Sequence, residues 1–284
     1  MNASPTLLSA SAKSSPPTTQ TVTLLVPTLN EIDGMKAIMP RVQREWVDQI
    51  IILDGGSTDG TIEWARDNGY FVHIQSQPGI RQAYNEVLPL IDGDILLTFS
   101  PDGNSIPELI PQILAKMNEG YDMVIASRYL GSARSKDDDW LTGFGNWLFT
   151  RTVNLLHGGR YTDVMVIYRA YRKQLIYDLE LDQDRWHKTP ERLFGCRISW
   201  EPMLSARAAR RRLRVAEIPG DEPPRIGGER KLRIWRWGAS YYYQFWRDAL
   251  LWRGEAVPPS PRRSGKRIPW WLSGLVSKKA AGRE

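Results

Sequence analysis

The chain has 284 residues, a formal net charge of +6, 42% hydrophobic and 25% charged residues, enough for one or two domains with a sizeable core. A single cysteine, Cys196, excludes an internal disulfide and a cysteine-rich zinc site. No apolar run approaches the roughly 20 residues that span a bilayer, and Leu7-Leu8 is too short for a signal-peptide core.

Residues 1–20, rich in Ser, Thr, Ala and Pro, read as a disordered tail, and the chain is expected on the cytoplasmic side. Charge is unevenly placed. Ser205 to Glu284 carry 19 Lys and Arg against 7 Asp and Glu, and Met1 to Leu204 carry 19 against 25. Six of the twelve tryptophans also lie in the basic quarter, which fits a partner that is anionic and partly apolar.

Val22 to Val26 is a short apolar strand; Pro27-Thr-Leu-Asn-Glu31 then leads into a helix with Met35, Ile38, Met39 and Val42 on one face. The unit repeats. Gln49 to Leu53 is followed by Asp54-Gly-Gly-Ser-Thr-Asp-Gly60 and a helix with Ile62, Trp64 and Ala65. Tyr70 to Ile74 is a third strand, with a turn at Gln77-Pro-Gly79 and a helix from Arg81 to Leu90. A fourth strand, Ile95 to Phe99, stops at Ser100-Pro101. Ser105 and Glu108 stand at capping-box spacing, which predicts a helix directly after them. Tyr121 to Ala126 is the fifth strand, ending in Ser127-Arg128-Tyr129. Alternating strands and helices predict a mostly parallel sheet covered on both faces, with its polar turns gathered at one edge.

Gly131 to Asp139 reads as a mobile polar loop, with Asp137 to Asp139 solvated. Helices follow at Trp140 to His157 and Trp200 to Leu213, and a strand at Val215 to Ile218. Leu232 to Arg253 is long enough for about six turns. At about 100° per residue, Arg233, Arg236 and Arg247 share one face of it and Trp235, Tyr241, Tyr242, Phe245, Trp246 and Leu250 fill the other half. The organisation expected is a core domain over 21–231, an amphipathic helix over 232–256 and a basic flexible tail over 257–284.

The turns carry the chemistry. Asp54 beside Gly55-Gly56 and Ser57 suits a base and ribose, because a carboxylate accepts their hydrogen bonds and glycine allows close approach. A self-capped turn explains the same residues. Asp102 suits Mg²⁺ or Mn²⁺ held against a diphosphate, and it also suits an ordinary turn. Arg81 and Arg128 stand at or near turns of the same edge and suit the diphosphate's charge.

In this order the motifs resemble those of the family 2 glycosyltransferases with the GT-A fold, and within them the dolichol-phosphate mannose and glucose synthase branch. Val26-Pro-Thr-Leu-Asn-Glu31 resembles V-P-x-x-N-E; Asp54 to Thr61 resembles D-D-x-S-x-D-x-T with Gly55 in the second acid's place; Gly79 to Ala83 resembles G-x-G/K-x-A. Ser100-Pro-Asp102 occupies the D-x-D position with Ser100 for its first acid. Ser127-Arg-Tyr129, Thr162-Asp163 with Tyr168 to Arg172, Glu201, and Arg225 to Lys231 are similar to the later motifs.

The resemblance implies a Rossmann-like GT-A domain with a basic aromatic helical extension, and inverting sugar transfer from a GDP- or UDP-sugar to a polyprenyl or dolichyl phosphate. It implies a donor site of Pro27, Asn30, Glu31, Asp54, Gly56, Ser57, Arg81, Ser100, Asp102, Arg225 and Lys231, with Asp102 holding Mg²⁺ or Mn²⁺. Arg128 and Arg151 would clamp the acceptor phosphate. A phosphate nucleophile needs no base; transfer to a hydroxyl of a glycan, glycolipid or small molecule, the alternative, would need one. Asp163 and Glu201 are the candidates for positioning the acceptor or for that base. A third reading is a non-catalytic relative that binds membrane or nucleic acid, although no nucleic-acid partner is expected. The basic aromatic helix fits peripheral attachment to the cytoplasmic face of an anionic membrane.

Overall fold

The computed structural model describes residues 20–227 and 234–254; the two expected tails and Lys231 lie outside them. Strands β1 (Val22–Thr28), β2 (Gln49–Asp54), β3 (Phe71–Ile74), β4 (Ile95–Thr98), β5 (Met123–Ser127), β6 (Arg169–Arg172) and β7 (Val215–Pro219) form one seven-stranded sheet in the order β3-β2-β1-β4-β6-β5-β7. Every neighbouring pair is parallel except the two made by β6, which runs antiparallel to β4 and β5. The order extends from β1 through β2 to β3 and then resumes on the other side of β1 with β4. Strand order reverses there, and the crevice beyond the carboxyl ends of β1 and β4 is the place where such sheets bind ligands.

Helices α1 (Ile32–Ile38), α2 (Thr61–Asp67), α3 (Ile80–Val87), α4 (Ile110–Asn118), α5 (Trp140–His157), α6 (Leu175–Asp178), α7 (Lys188–Phe194), α8 (Glu201–Arg210) and α9 (Ile234–Leu251) cover both faces. Alternation along the strands divides the core. Leu24, Val26, Ile52 and Leu97 pack against Met35, Ile38, Ile110 and Met117 of α1 and α4. Leu25, Ile51, Leu53 and Leu96 face α3, α5, α8 and α9 through Tyr84, Val153, Leu204 and Phe245.

Three expectations change. The capping box does not form: Ser105 Oγ accepts a hydrogen bond from the Ser100 N–H at 3.4 Å, and Glu108 turns outward to Arg41 at 2.7 Å. A single 3-10 turn with Pro107 at its start precedes α4 instead.

The loop 131–139 is tied down rather than loose. Ser135 bridges to Glu222 in the chain after β7, Lys136 N–H donates to Glu222 O at 2.8 Å, and Asp139 caps α5 by accepting from Thr142 N–H at 2.8 Å.

The last helix is part of the core. Tyr241, Phe245 and Trp252 are buried in the α3/α5/α8 side. The buried Arg207 pairs with buried Asp248, Nε to Oδ2 at 2.8 Å, and its guanidinium lies 4.8 Å from the ring centres of both Trp186 and Trp252. Arg247 donates to the carbonyls of Arg185 and Trp186. The aromatic half expected to face a membrane is therefore split, with Tyr241 and Phe245 inward and Trp235, Tyr242, Trp246 and Leu250 outward.

Candidate active site

The turns after β1 and β2 are laced together. Asn30, in the left-handed region at φ 53°, accepts from Thr58 N–H and donates its own N–H to Ser57 Oγ, both at 2.8 Å. Asp54 is fully buried and its carboxylate takes four short bonds, from Gly56 N–H, Ser57 N–H, Ser57 Oγ and Thr28 Oγ1. It shapes the turn, as the self-capped reading expected. Gly56, at φ +90°, has open space where a side chain would stand, so a planar ligand can approach the backbone there. Pro27, on β1 opposite Leu53, lies under this turn.

The β4 turn is set against α1. A side chain at Gly34 would collide with the Pro101 carbonyl oxygen and lie 3.0 Å from Asp102 Cα, so glycine is required for this approach. Asp102 is buried; one oxygen accepts from Asn104 N–H at 3.0 Å and the other from Arg225 Nη2 at 2.8 Å. Arg225 also reaches Glu31 Oε1 at 3.2 Å, and Ile226 N–H donates to Asp102 O at 2.7 Å. The segment after β7 thus lies across the crevice mouth.

Among the described residues no three Asp, Glu, His or Cys side chains gather as a metal cluster. The donor set still fits Mg²⁺ or Mn²⁺, which commonly use one or two carboxylates and take their other ligands from substrate phosphates and water. Asp102 would be the protein carboxylate, exchanging its guanidinium partner for the ion. Ser100, at the turn's start, adds no charge.

Arg128 is enclosed. Its Nε and Nη2 grip Asp163 at 2.6 and 3.1 Å, and its Nη1 is shared by Glu222 and Asp138 at 3.3 and 3.5 Å. Tyr129 Oη also donates to Asp138. Burial pushes the Asp163 carboxyl up, but the charge and hydrogen bonds of Arg128 outweigh it and hold the group below the usual range. Burial raises Glu222 in spite of Arg128. With Nε, Nη1 and Nη2 all directed to the three carboxylates, the charge of Arg128 is already met inside the protein, and it is a poor candidate to clamp an acceptor phosphate.

Arg151 differs. It is exposed, and among the described residues no ion pair claims it; its guanidinium rests 5.6 Å from the Trp147 ring centre. It stands on the rim of a cavity of about 350 Å³ lined by Tyr129, Asn146, Trp147, Thr150 and Thr162, among others. Asn146 is only 6% exposed and its side-chain oxygen has no protein partner. The Arg151 cation suits a small anion with an apolar appendage, and the Asn146 oxygen, an acceptor, suits a donor such as a hydroxyl rather than the anion itself.

Two other predicted residues do not join the site. Arg81 is 1% exposed and its charge is met by Asp184 at 2.6 Å and Glu191 at 3.3 Å. Glu201 begins α8, 2% exposed, and accepts from Tyr84 Oη at 2.9 Å inside the core. Neither Glu201 nor the salt-bridged Asp163 is placed to take a proton from an acceptor. Sequence reasoning missed Asp138, Glu222 and Asn146; only long-range packing brings the first two to Arg128, and nothing in the local pattern marked the third.

The sheet reversal, the laced β1 and β2 turns and the acid on the β4 turn define a Rossmann-like α/β domain of the GT-A kind. Residues 23–180 match the model of the family described as "Glycosyl transferase family 2", and the chain belongs to that family. "Glycosyltransferase AglJ" of Haloferax volcanii is 30% identical over 213 residues, which are 75% of this chain and 66% of that protein, so the chain spans slightly less than two thirds of its length. The undecaprenyl-phosphate mannosyltransferase of Micrococcus luteus is 25% identical over 81% of this chain and 98% of its own. A crystal structure of glucosyl-3-phosphoglycerate synthase from Mycobacterium tuberculosis with Mn²⁺ and UDP has the same fold, with a TM-score of 0.57, 21% identity and coverage of 81% and 80% of the two chains.

Proposed function

We propose that the protein transfers a sugar, with inversion, from a GDP- or UDP-sugar to the phosphate of a polyprenyl phosphate. The observation that carries the acceptor half is Arg151, a cation without an ion-pair partner among the described residues, beside an open cavity of about 350 Å³ lined by Tyr129, Trp147 and Thr150 among others. A phosphate monoester is already an anionic nucleophile, so the burial of Asp163 and Glu201 costs this reaction nothing. The relatives named for undecaprenyl and dolichyl phosphate support the same acceptor.

On the donor side, the backbone at Gly56 and the Asn30–Ser57 lacing would seat the base and ribose. Asp102, Arg225 and Glu31 would meet the diphosphate, with Lys231, outside the described residues, proposed to close over it. A divalent cation bound at Asp102 would neutralise charge on the departing diphosphate. Arg225, released from Asp102, would donate to the same oxygens. Among the described residues no helix is long and apolar enough to cross a membrane; the polyprenyl phosphate acceptor is what supports reading the protein as working at a membrane surface, proposed to be the cytoplasmic face.

A second reading, transfer to a hydroxyl, draws support from one observation. Glu222, raised by burial and part-exposed beside Arg128, is the carboxylate best suited to accept a proton. A screen of UDP- and GDP-sugars with polyprenyl phosphate and with free polyprenol tests both readings. Transfer to the phosphate alone supports the first, and transfer to the alcohol, lost in Glu222→Gln, supports the second.

A further inference from the structure

We infer that Asn146 selects the transferred sugar: its carboxamide, on the inner wall of the cavity beside Arg151, meets a hydroxyl of the glycosyl group as that group passes from donor to acceptor. The inference rests on the nucleotide-sugar donor proposed above and adds to it a residue that determines specificity.

α5 presents two kinds of polar residue to the cavity. Trp147 and Arg151, one turn apart, stand at its rim; Asn146 and Thr150, also one turn apart, form the wall beneath, each 6% exposed. The Asn146 side-chain oxygen has no partner in the protein. Thr150 Oγ1 accepts from Val164 N–H at 3.4 Å and donates to no described residue, so its hydrogen is left for a ligand. An amide oxygen buried without a partner destabilises the fold, and a ligand that completes its bonding removes that penalty.

The chemistry of the wall identifies the group it meets. An amide oxygen needs a partner that carries a donating hydrogen, and a phosphate dianion carries none, while a polyprenyl chain is hydrocarbon. Apart from the ribose, which belongs to the β2 turn, the sugar is the hydroxyl-rich part of the proposed reaction. A hydroxyl both donates and accepts, which suits the two ends of a carboxamide and the neighbouring Thr150.

Position agrees with chemistry. Inverting displacement puts the sugar between the departing diphosphate and the incoming phosphate, hence between Asp102 and Arg151. Tyr129, of the cavity wall, follows β5, and Asp102 follows β4; these strands lie two places apart in the sheet, about 10 Å. The two ends are also tied together. Tyr129 Oη donates to Asp138, Asp137 accepts from Asn104 Nδ2 at 3.2 Å, and Asn104 N–H donates to Asp102 at 3.0 Å. A glycosyl group carried on a diphosphate at Asp102 therefore extends toward a cavity of about 350 Å³, the size of a small-molecule pocket.

The test is titration calorimetry of wild type and Asn146→Leu in the presence of Mn²⁺, using UDP- and GDP-sugars, UDP and GDP alone, and monodeoxy analogues of the sugar that binds. Wild type should bind one nucleotide sugar more tightly than its nucleoside diphosphate, and one monodeoxy analogue at least about fivefold less tightly than the parent. Asn146→Leu should bind the nucleoside diphosphate as wild type does and should no longer tell that analogue from the parent. It should also melt at the same temperature or higher, because leucine leaves no unpartnered amide in the wall. A variant that discriminates as wild type does would overturn the inference, and so would a loss of stability, which would make Asn146 a packing residue of α5. Sugar discrimination that depends on Asn146, in a protein that transfers to no polyprenyl phosphate, would sink the acceptor reading and uphold this one; a protein that binds no nucleotide sugar would overturn this inference together with the donor reading.

Discussion

Arg225 and Asp102 are joined across the mouth of the crevice beyond β1 and β4, Nη2 to Oδ2 at 2.8 Å, and the same guanidinium reaches Glu31 at 3.2 Å. A cation from the protein therefore stands at the carboxylate proposed to hold the metal. Arg225→Ala should tighten nucleotide-free Mn²⁺ binding, by about tenfold if the ion pair is worth about 1.4 kcal/mol, and should weaken binding of UDP or GDP. Titration calorimetry with Mn²⁺ alone and with nucleotide measures both; unchanged Mn²⁺ affinity would mean that the ion does not compete for Asp102.

Gly34 holds α1 against the same turn. Gly34→Ala forces a methyl group into the Pro101 carbonyl, and overpacking of this kind costs about 1–3 kcal/mol. Nucleotide affinity should fall along with stability, since the displaced backbone carries Asp102. Denaturant unfolding and nucleotide titration of the variant check the two effects; a variant as stable and as tight as wild type would contradict the packing described.

The anchor of α9 is the buried Arg207–Asp248 pair between two indoles. Asp248→Ala leaves a guanidinium uncompensated in the core, which costs about 3–5 kcal/mol. Loss of α9 packing should also speed hydrogen exchange in α9 and α8 relative to the β1–β2 half of the sheet. A loss of under about 1 kcal/mol would place the anchor in the surrounding aromatic packing instead.

Acid should destabilise the protein through specific carboxylates. Glu86 is pushed up by burial, but bonds from His73, the Ser76 hydroxyl and the Ser76 and Gln77 N–H groups pull it down to about 2. Asp163 is lowered too, with Arg128 overcoming burial. A depressed folded-state pKa gives stability that is present above the unfolded carboxylate value and is lost as pH falls through the folded one. Urea unfolding between pH 5 and 2, flagged by ordinary carboxylate pKa values of about 4, should show a smaller fall for Glu86→Gln than for wild type, from a lower starting point at neutral pH.

Much of the fold was legible because its signals are local. Strand runs such as Ile51 to Leu53 are buried, and Pro101 marks the turn that follows β4, whereas β1 continues through Pro27 to Thr28, two residues beyond the end its apolar run predicts. The β2 turn was readable for the same reason, since Asp54 and Ser57 bond within their own segment, while Asn30 reaches across from the β1 turn to Ser57 and Thr58. What failed depended on partners distant in sequence. Asp137 to Asp139 read as a solvated run, yet Asp138 is drawn in by Arg128, Asp137 accepts from Asn104 at 3.2 Å and Asp139 caps α5. Arg81 and Arg128 looked like free cations because nothing near them in sequence announced Glu191, Asp184 or Glu222. The split of the α9 aromatics depended on where α5 and α8 lie, which a helical wheel does not contain.

Transfer itself tests the account most directly. Purified protein with Mg²⁺ or Mn²⁺ and radiolabelled GDP- or UDP-sugar should place label on polyprenyl phosphate and none on free polyprenol. Arg151→Ala should lower kcat/KM for the lipid phosphate at least about tenfold, the loss of one charge-assisted contact, with the donor's KM unchanged. Label on the alcohol but not the phosphate, or an Arg151→Ala enzyme as active as wild type, would contradict it.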